Sequence, residues 1–348
     1  MTSRIAGLSL LGAALLALLL LPQFVQSPYA LHIFILVFLS IVSGQGWNVI
    51  GGYAGQYSVG HAAYYGVGAY TTMILLQGRH LAPWLGVWPA VLAAVLVALV
   101  IGSICFRLRG PYFVLASIAV AEIMRLVALN WKGLTNGAEG LLANDLPPFT
   151  IGGKMITDFL SKVPFYYAGL ALAVAAVAVN VFIQHSKLGY YFQAIREDQD
   201  AAHSLGISLS LHKNVALTIS AAFTALAGAF YAMYVGFIDP ATVFGLDLSV
   251  QLVLVCIIGG IGTISGPVVG SVVLVLLSEG LRSNLIAEGL FKVHLLNENS
   301  RAGAFLKENL AHAHVLIYGI LVVVVILFMP EGIAGFVRQR WMARRRAA

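Results

Sequence analysis

The sequence predicts an all-α protein: a polytopic bundle of about ten transmembrane helices. Hydrophobic residues make up 60% of its 348 residues, charged residues only 10%, and the mean hydropathy is +0.90. Soluble domains carry roughly 25% charged residues, so this chain has too few charges to cover a surface that faces water. Its apolar runs have helical lengths, unlike the short alternating strands of a membrane β-barrel.

The apolar runs place the individual spans within one transmembrane domain, residues 1–348. Several runs are shorter than the ~20 residues that cross a bilayer, so their limits are approximate. The predicted spans lie near residues 5–21, 29–45, 62–77, 86–106, 112–129, 165–184, 214–236, 248–260, 267–282 and 314–329. We expect the first to be a retained span rather than a signal peptide, because bulky residues follow it where a cleavage site would need small ones.

The positions of the basic residues predict the topology. Placing Arg4 in the cytoplasm and alternating the spans puts residues 185–213 and the Arg-rich C-terminus inside, as the positive-inside rule requires. Residues 130–164 and 283–313 then lie outside, and both termini are cytoplasmic. The formal charge of +6 is therefore explained by membrane orientation, and we expect no nucleic-acid partner.

No residue pattern in the sequence points to an enzyme, a bound cofactor or a metal site. Cys105 and Cys256 lie far apart inside apolar runs, where they are expected to be small buried hydrophobes. We find no cluster of His, Asp and Glu, no nucleophile with a base, and no Gly-x-x-x-x-Gly-Lys-Ser/Thr loop that would hold a nucleotide.

Two uncharged Gly-rich joints interrupt the apolar sequence: the first joint, residues 51–61, and the second joint, residues 259–267. Irregular backbone at membrane depth survives only when it is buried in protein or lines a water-filled cavity. Both joints contain Gly-x-x-Ser and precede a helix of small residues, so they predict discontinuous helices and a pseudo-repeat with the transport pathway at the breaks. Close helix packing through small residues is the alternative.

The polar segment, residues 185–213, stands between two apolar spans. On a helix over residues 194–205, one third of the circumference is apolar and small, Asp198 intrudes on that arc, and Arg196 points away from it. Gly206 is predicted to end the helix as a C-cap. The pattern favours a surface on which a protein docks; an amphipathic helix that lies on lipid is the alternative.

The polar segment resembles the coupling loop of ABC-importer permeases, in particular the branched-chain amino-acid permeases of the LivM type. The matching stretches are Ala194 to Asp198, Ala201-Ala202 and Leu205-Gly206-Ile207. Residues 52–62, 108–113, 121–123, 130–131, 135–141 and 259–263 are also similar to stretches of that family. The matches lie in order along residues 45–275.

This resemblance implies a type II ABC-importer-like fold in a bacterial inner membrane. It implies a heterodimer with a sister permease, two cytoplasmic ATPases that carry ATP and Mg, and a periplasmic or extracellular amino-acid-binding protein. The coupling residues would be Ala194, Ile195, Arg196, Glu197, Asp198, Ala201, Ala202, Leu205 and Gly206. Residues 130–164 would help to dock the binding protein, a bland surface loop being the alternative.

Uncharged polar side chains at the joints are candidates for a pathway that passes a zwitterion. The candidates are Gln56, Ser58, His61, Thr263 and Ser265, together with Glu122 and Arg125. Glu122 and Arg125 lie three residues apart on one helical face. Ionisable residues within a span are costly and often functional, although this pair could simply neutralise itself. Hydroxyls that serve helix packing, and a His61 that is only a satisfied polar residue, are the alternatives at the joints.

The sequence departs from the family pattern at Asp200 and His203, and residues 283–313 are longer and more polar than expected. These departures bear on the choice of ATPase partner and on the outer surface. A permease for urea, short amides, sugars or another small polar solute is the runner-up function, and a carrier or channel that needs no ATPase is the alternative from another class.

Overall fold

The computed structural model describes residues 2–25, 27–79, 83–143, 149–151, 154–157 and 161–282, with positions 319, 320, 323, 327, 332, 333 and 335. This part of the chain is mainly helical. Its helices are α1 (Thr2–Phe24), α2 (Pro28–Trp47), α3 (His61–Arg79), α4 (Pro83–Cys105), α5 (Pro111–Asn130), α6 (Lys132–Thr135), α7 (Lys162–His185), α8 (Lys187–Glu197), α9 (Gln199–Ser204), α10 (Leu209–Val235), α11 (Pro240–Phe244), α12 (Leu246–Gly259) and α13 (Ser265–Arg282).

Four short strands form two antiparallel pairs within the described residues. They are β1 (Leu141–Leu142), β2 (Phe149–Ile151), β3 (Lys154–Thr157) and β4 (Phe237–Ile238). β1 pairs with β4, and β2 pairs with β3. The first pair fastens the end of residues 130–142 to the turn that follows α10.

Nine of the ten predicted spans coincide with described helices to within a few residues. The tenth, residues 314–329, lies largely outside the described residues, as does the whole of 283–313. Five helical stretches in the described part are long and apolar enough to cross a membrane: Pro28–Tyr53, Leu85–Cys105, Pro111–Asn130, Lys162–His185 and Leu209–Val235. Three shorter apolar helices, Gly12–Phe24, Leu246–Gly259 and Ser265–Gly280, accompany them. The count of ten spans therefore stays a prediction.

Helices α2 and α10 form the centre of the bundle. In their apolar windows 78% and 61% of the residues are buried, against 22% in those of α4 and α5. Small residues let α10 lie close to its neighbours: a Cβ on Gly228 would collide with the Tyr65 carbonyl of α3, and one on Gly68 of α3 with the Ala225 carbonyl. Helices in lipid associate by such close packing, because lipid tails are as apolar as the side chains and the hydrophobic effect does not drive helices together.

Large apolar side chains cover the outer faces of the peripheral helices. Trp88 on α4 is 73% exposed and Phe182 on α7 is 74% exposed. Such residues would be unfavourable in water, and a bilayer is the solvent that suits them. The outside of the bundle is therefore a lipid-facing surface.

Both Gly-rich joints interrupt helices, as the sequence predicts. After α2 the chain makes a π-helical turn, Asn48–Tyr53, and then runs without helix to His61. After α12 the backbone breaks at Gly260, where φ is 122°, and α13 begins at Ser265. Single π-helical turns are rare and frequently lie at functional sites.

The prediction of one helix over residues 194–205 is wrong, because the chain breaks at Asp198. Asp198 is extended (φ −154°, ψ 116°), and its carboxylate accepts hydrogen bonds from the backbone N–H groups of Asp200 and Ala201. Aspartate is among the best N-cap residues, since its side chain can satisfy N–H groups that a helix start leaves free. Asp198 thus ends α8 and starts α9, and does not intrude on a continuous apolar face.

The predicted topology can be tested with single cysteines. His203 is exposed on α9, and a Cβ on Gly133 of α6 would have no heavy atom within 4 Å. A membrane-impermeant thiol reagent should label His203→Cys only from the cytoplasmic side and Gly133→Cys only from outside. Both native cysteines are buried and should react little. Labelling of both variants from one side would overturn the topology.

Candidate functional site

The two Gly-rich joints lie against each other, and Asn48 connects them. The Asn48 side chain donates to the Thr263 carbonyl at 3.0 Å and accepts from the Gly262 N–H at 2.9 Å. One turn earlier, Gln45 donates to the Ile264 carbonyl at 2.8 Å. A Cβ on Gly52 would collide with the Asn48 amide, so this approach requires glycine there. Residues 214 to 219 positions apart in the chain thereby form one junction, called the joint junction below.

The first-joint candidates Gln56, Ser58 and His61 are all buried. Both ring nitrogens of His61 have hydroxyl partners: Ser58 Oγ at 3.0 Å and, on α10, Ser220 Oγ at 2.6 Å. The Gln56 amide donates to the Ala54 carbonyl at 3.2 Å. In this conformation these side chains hold the first joint in place and fasten it to α10.

The second-joint candidates start α13. The Thr263 hydroxyl donates to the Gly260 carbonyl at 2.8 Å and accepts from the Gly266 N–H at 3.0 Å. Ser265 is exposed. The structure brings Thr263 to the joint junction through its carbonyl, whereas Ser265 makes no hydrogen bond to the first joint among the described residues.

Glu122 and Arg125 form a bidentate ion pair on α5, with N–O distances of 2.9 and 2.6 Å. Their side chains are 47% and 27% exposed respectively. Within the described part of the chain, neither is hydrogen-bonded to the joints. The geometry is that of a pair whose charges cancel locally, on a peripheral helix with few buried residues.

The coupling residues divide between an inner and an outer face. Ile195 and Ala202 are buried and Ala194 is half-buried, whereas Glu197, Asp198, Ala201 and Leu205 are exposed, Leu205 by 81%. Arg196, predicted to point away from the apolar arc, is exposed, and its Nη1 also donates to the Gly52 carbonyl of the first joint at 2.7 Å. We call the exposed face of α8 and α9, from Tyr190 to Leu205, the docking face.

Gly206 ends α9 in the manner predicted. Its φ is +84°, its N–H donates to the His203 carbonyl at 2.9 Å, and the Ile207 N–H donates to the Ala202 carbonyl at 3.1 Å. These two bonds form a Schellman motif, which a left-handed residue makes possible. The position of Leu205 on the docking face depends on this turn.

The docking face is fastened to the bundle at two further points. The buried ammonium of Lys213 on α10 donates to the Gln199 side chain at 2.7 Å. Arg109, in the turn between α4 and α5, pairs with Asp200 at 3.1 Å, with both side chains well exposed. The buried bond is expected to contribute more than the exposed ion pair, which water and salt screen.

A cavity of about 140 Å³ opens where α2, α3, α10, α12 and α13 meet. Its volume is close to the ~150 Å³ of a cavity that accepts a benzene-sized molecule. Leucines and a valine form part of its wall; the polar part is Ser40, Ser43, Gln251, Ser278 and Glu279, with Tyr65 and Tyr231. The cavity offers apolar contact and polar groups to the same small molecule.

A wider, mainly polar cleft of about 640 Å³ lies at residues 132–142. Lys132, Asn136, Glu139 and Gln77 line it. Asn136 has φ +59° and donates to the Gly140 carbonyl at 3.0 Å, so residues 135–140 form an ordered turn. Part of the predicted external segment is therefore a shaped surface.

Sequence reasoning missed Asn48, Ser220 and the polar wall of the 140 Å³ cavity. Signals for some of them existed. Asn48 is a lone amide beside the first joint, and Glu279 is a lone acid in the last described apolar run. Ser40 and Ser43 stand three residues apart, so they share a helical face. What the sequence could not supply was the partner that each of them meets.

A lipid-facing helical bundle with interrupted helices that meet at its centre is the architecture of a multi-pass membrane permease. Comparison with known families agrees: this chain belongs to the family described as the branched-chain amino acid transport system permease component, whose model matches residues 29–326. It is accordingly a transport permease subunit. No solved structure matches the chain.

The chain is similar to curated permeases along most of its length. It is 30% identical over 289 residues to the high-affinity branched-chain amino acid transport system permease protein LivM of Escherichia coli strain K12, covering 77% of this chain and 67% of that protein. It is 24% identical over 305 residues to the corresponding LivH of Salmonella typhimurium strain LT2, covering 83% and 89%. A shorter likeness, 27% over 165 residues and 47% and 44% of the two chains, is to the autoinducer 2 import system permease protein LsrC of Klebsiella pneumoniae.

The connection made by Asn48 can be tested by Asn48→Leu. This change leaves the Gly262 N–H and the Thr263 carbonyl without their side-chain partner, and each unsatisfied buried group costs about 1–3 kcal/mol. We expect a lower midpoint of thermal unfolding in detergent. Asn130→Leu is the matched control, since Asn130 is exposed and its amide donates to the Leu126 carbonyl of its own helix. Equal midpoints for the two variants would contradict the assignment.

Proposed function

We propose that this chain is the permease subunit of an ATP-driven ABC importer that moves branched-chain amino acids, leucine, isoleucine and valine, across a bacterial inner membrane. The observation that carries the proposal is the docking face, an exposed and well-capped surface held against interrupted helices by buried contacts. Similarity to LivM and LivH supports the substrate class.

The docking face suits a cytoplasmic ATPase better than a lipid surface. Leu205 is 81% exposed, and Glu197, Asp200 and Ala201 are exposed on the same pair of helices, so the docking face offers apolar contact together with negative charge. An interfacial helix would show a wide apolar face and mainly basic flanks. A protein groove can accept a small apolar knob with mixed charges around it.

The partners follow from the importer proposal. Two ATPase subunits bind ATP and Mg, since this chain has no phosphate-binding loop. A sister permease completes a heterodimer, and a binding protein delivers the amino acid from outside. The 640 Å³ cleft, with its lysine, glutamate and amides, is the surface on which we place the binding protein.

We place part of the transport pathway in the cavity of about 140 Å³ and no longer at the joints alone. An aliphatic amino acid needs an apolar wall for its side chain and polar groups for its two charges. In this cavity the leucines provide the apolar wall, and Gln251 and the serines provide the polar groups. Ser58 and His61 act instead on the shape of the joint junction, because they are buried and hydrogen-bonded.

The proposal is tested by uptake in proteoliposomes that contain the whole complex. The wild-type complex should accumulate labelled leucine, isoleucine or valine only with ATP inside and binding protein outside. The panel includes urea, acetamide, ribose and autoinducer 2, because LsrC is a permease for the last of these. Uptake of another solute alone would replace the substrate, and transport by the isolated chain without ATP would refute the importer.

The docking face is tested by Gly206→Val. A valine at φ +84° is strained, so the Schellman turn should be lost and Leu205 displaced. We expect the variant to insert normally but to retain less ATPase subunit in pull-down and to lose most uptake. A steric clash would not explain this loss, because a Cβ on Gly206 would meet no heavy atom within 4 Å.

Gly206→Asn is the matched control for this prediction. Asparagine tolerates the left-handed region far better than a β-branched residue, so it should keep the turn and most of the ATPase binding. Glu197→Lys reverses a charge on the docking face without changing the backbone and should also weaken the ATPase contact. Wild-type uptake in both Gly206→Val and Glu197→Lys would remove the basis for the docking face.

A further inference from the structure

Arg196 is an exposed residue at the end of α8, and its guanidinium reaches the joint junction. The residues before it anchor α8 in the bundle: Ile195 is 1% exposed, and Phe192 is fully buried in a cluster with Val49 and Ile50 of the π-helical turn. α8 therefore packs against the first interrupted helix. A displacement of α8 must move that turn or separate a close-packed contact.

The guanidinium of Arg196 satisfies a backbone group that the helix break leaves open. Gly52 lies in the last turn of the π-helical segment, where carbonyl groups lack partners within the helix. Nη1 of Arg196 donates to this carbonyl at 2.7 Å. The positive charge of the guanidinium strengthens this hydrogen bond, and the helix dipole also favours a cation at a helix C-terminus.

Glycines of both joints make room for this side chain. A Cβ on Gly55 would lie 3.0–3.2 Å from the Cα, Cβ and Cγ of Arg196, and one on Gly262 would lie 2.5 Å from Nη1. Gly55 and Gly262 both have left-handed φ values, +67° and +75°. One arginine thus contacts both joints. Its Cβ and Cγ lie against Gly55 and its Nη1 bonds to Gly52 in the first joint, and the same Nη1 lies beside Gly262 in the second.

We propose that Arg196 is a positioning residue that transmits movement of the docked ATPase to both interrupted helices. The proposal rests on the proposed function, since it needs an ATPase on the docking face. Because α8 bears both that face and Arg196, a shift of α8 changes the position of the guanidinium between Gly52 and Gly262. The joint junction would then rearrange as one unit with each ATPase cycle.

A planar guanidinium suits this role better than an ammonium. Its donors point in several fixed directions, so it can keep the bond to the Gly52 carbonyl while Nη1 and Cζ occupy the space beside Gly262. A lysine could reach the carbonyl with one donor but would fill the space between the joints poorly. Arg196→Lys should therefore retain part of the function, and Arg196→Gln should retain little.

The test compares uptake with ATP hydrolysis in proteoliposomes of the complete complex. For Arg196→Gln we expect normal recovery of ATPase subunits and continued hydrolysis, with leucine taken up per ATP reduced about tenfold or more, the effect of losing one hydrogen bond to a charged group. Arg196→Lys should fall between this variant and the wild type. Arg107→Gln, an exposed arginine in the turn after α4, is the matched control and should behave as wild type.

A structural cap alone would lower the thermal midpoint and the amount of complex without changing uptake per ATP. Unchanged uptake per ATP in Arg196→Gln would overturn the proposal, and so would loss of the ATPase from the complex, which would make Arg196 a docking residue. If Arg196→Gln does not insert into the membrane, the test uses Arg196→Lys, and wild-type uptake per ATP in that variant would overturn the proposal. Failure of the proposed function shows separately, as a wild-type complex without ATP-dependent amino-acid uptake.

Discussion

The structure depends on one constraint: a helix that breaks inside a membrane must find partners for the backbone groups it exposes. Two helices break here, and side chains from the first of them and from α8 supply these partners. Asn48 satisfies a carbonyl and an N–H of the second joint, and Arg196 satisfies a carbonyl of the first. Irregular backbone at membrane depth persists only when it is buried in protein or lines a water-filled cavity, and at this junction side chains of the protein supply the partners.

The same constraint explains why glycine is concentrated at the joints. The amide of Asn48 and the guanidinium of Arg196 occupy positions that side chains on Gly52 and Gly262 would fill. Glycine is therefore needed for space at Gly52, and for both space and a left-handed backbone at Gly262. The junction shows close packing, one of the two alternatives that the sequence left open, and a transport pathway at the breaks stays a prediction.

The arrangement also links the centre of the bundle to the docking face. From the docking face, contacts run inward through Phe192 and Arg196 to the π-helical turn, and through Gln199 to the buried Lys213 on α10. Helices α2 and α10 at the centre thus each have a direct contact with the segment that carries the docking face. Peripheral helices such as α5 carry their charges in a self-contained pair.

The sequence by itself determined the membrane class, the positions of most helices, both breaks and the Gly206 turn, because hydropathy and glycine act locally. It missed the break at Asp198, where α8 ends and the Asp198 side chain caps the start of a new helix, α9. Only the tertiary structure decided that Arg196 bonds to the Gly52 carbonyl, that His61 bonds to Ser220, and that Ser40, Gln251 and Glu279 line one cavity. Those facts depend on contacts between residues distant in the chain, which no local pattern records.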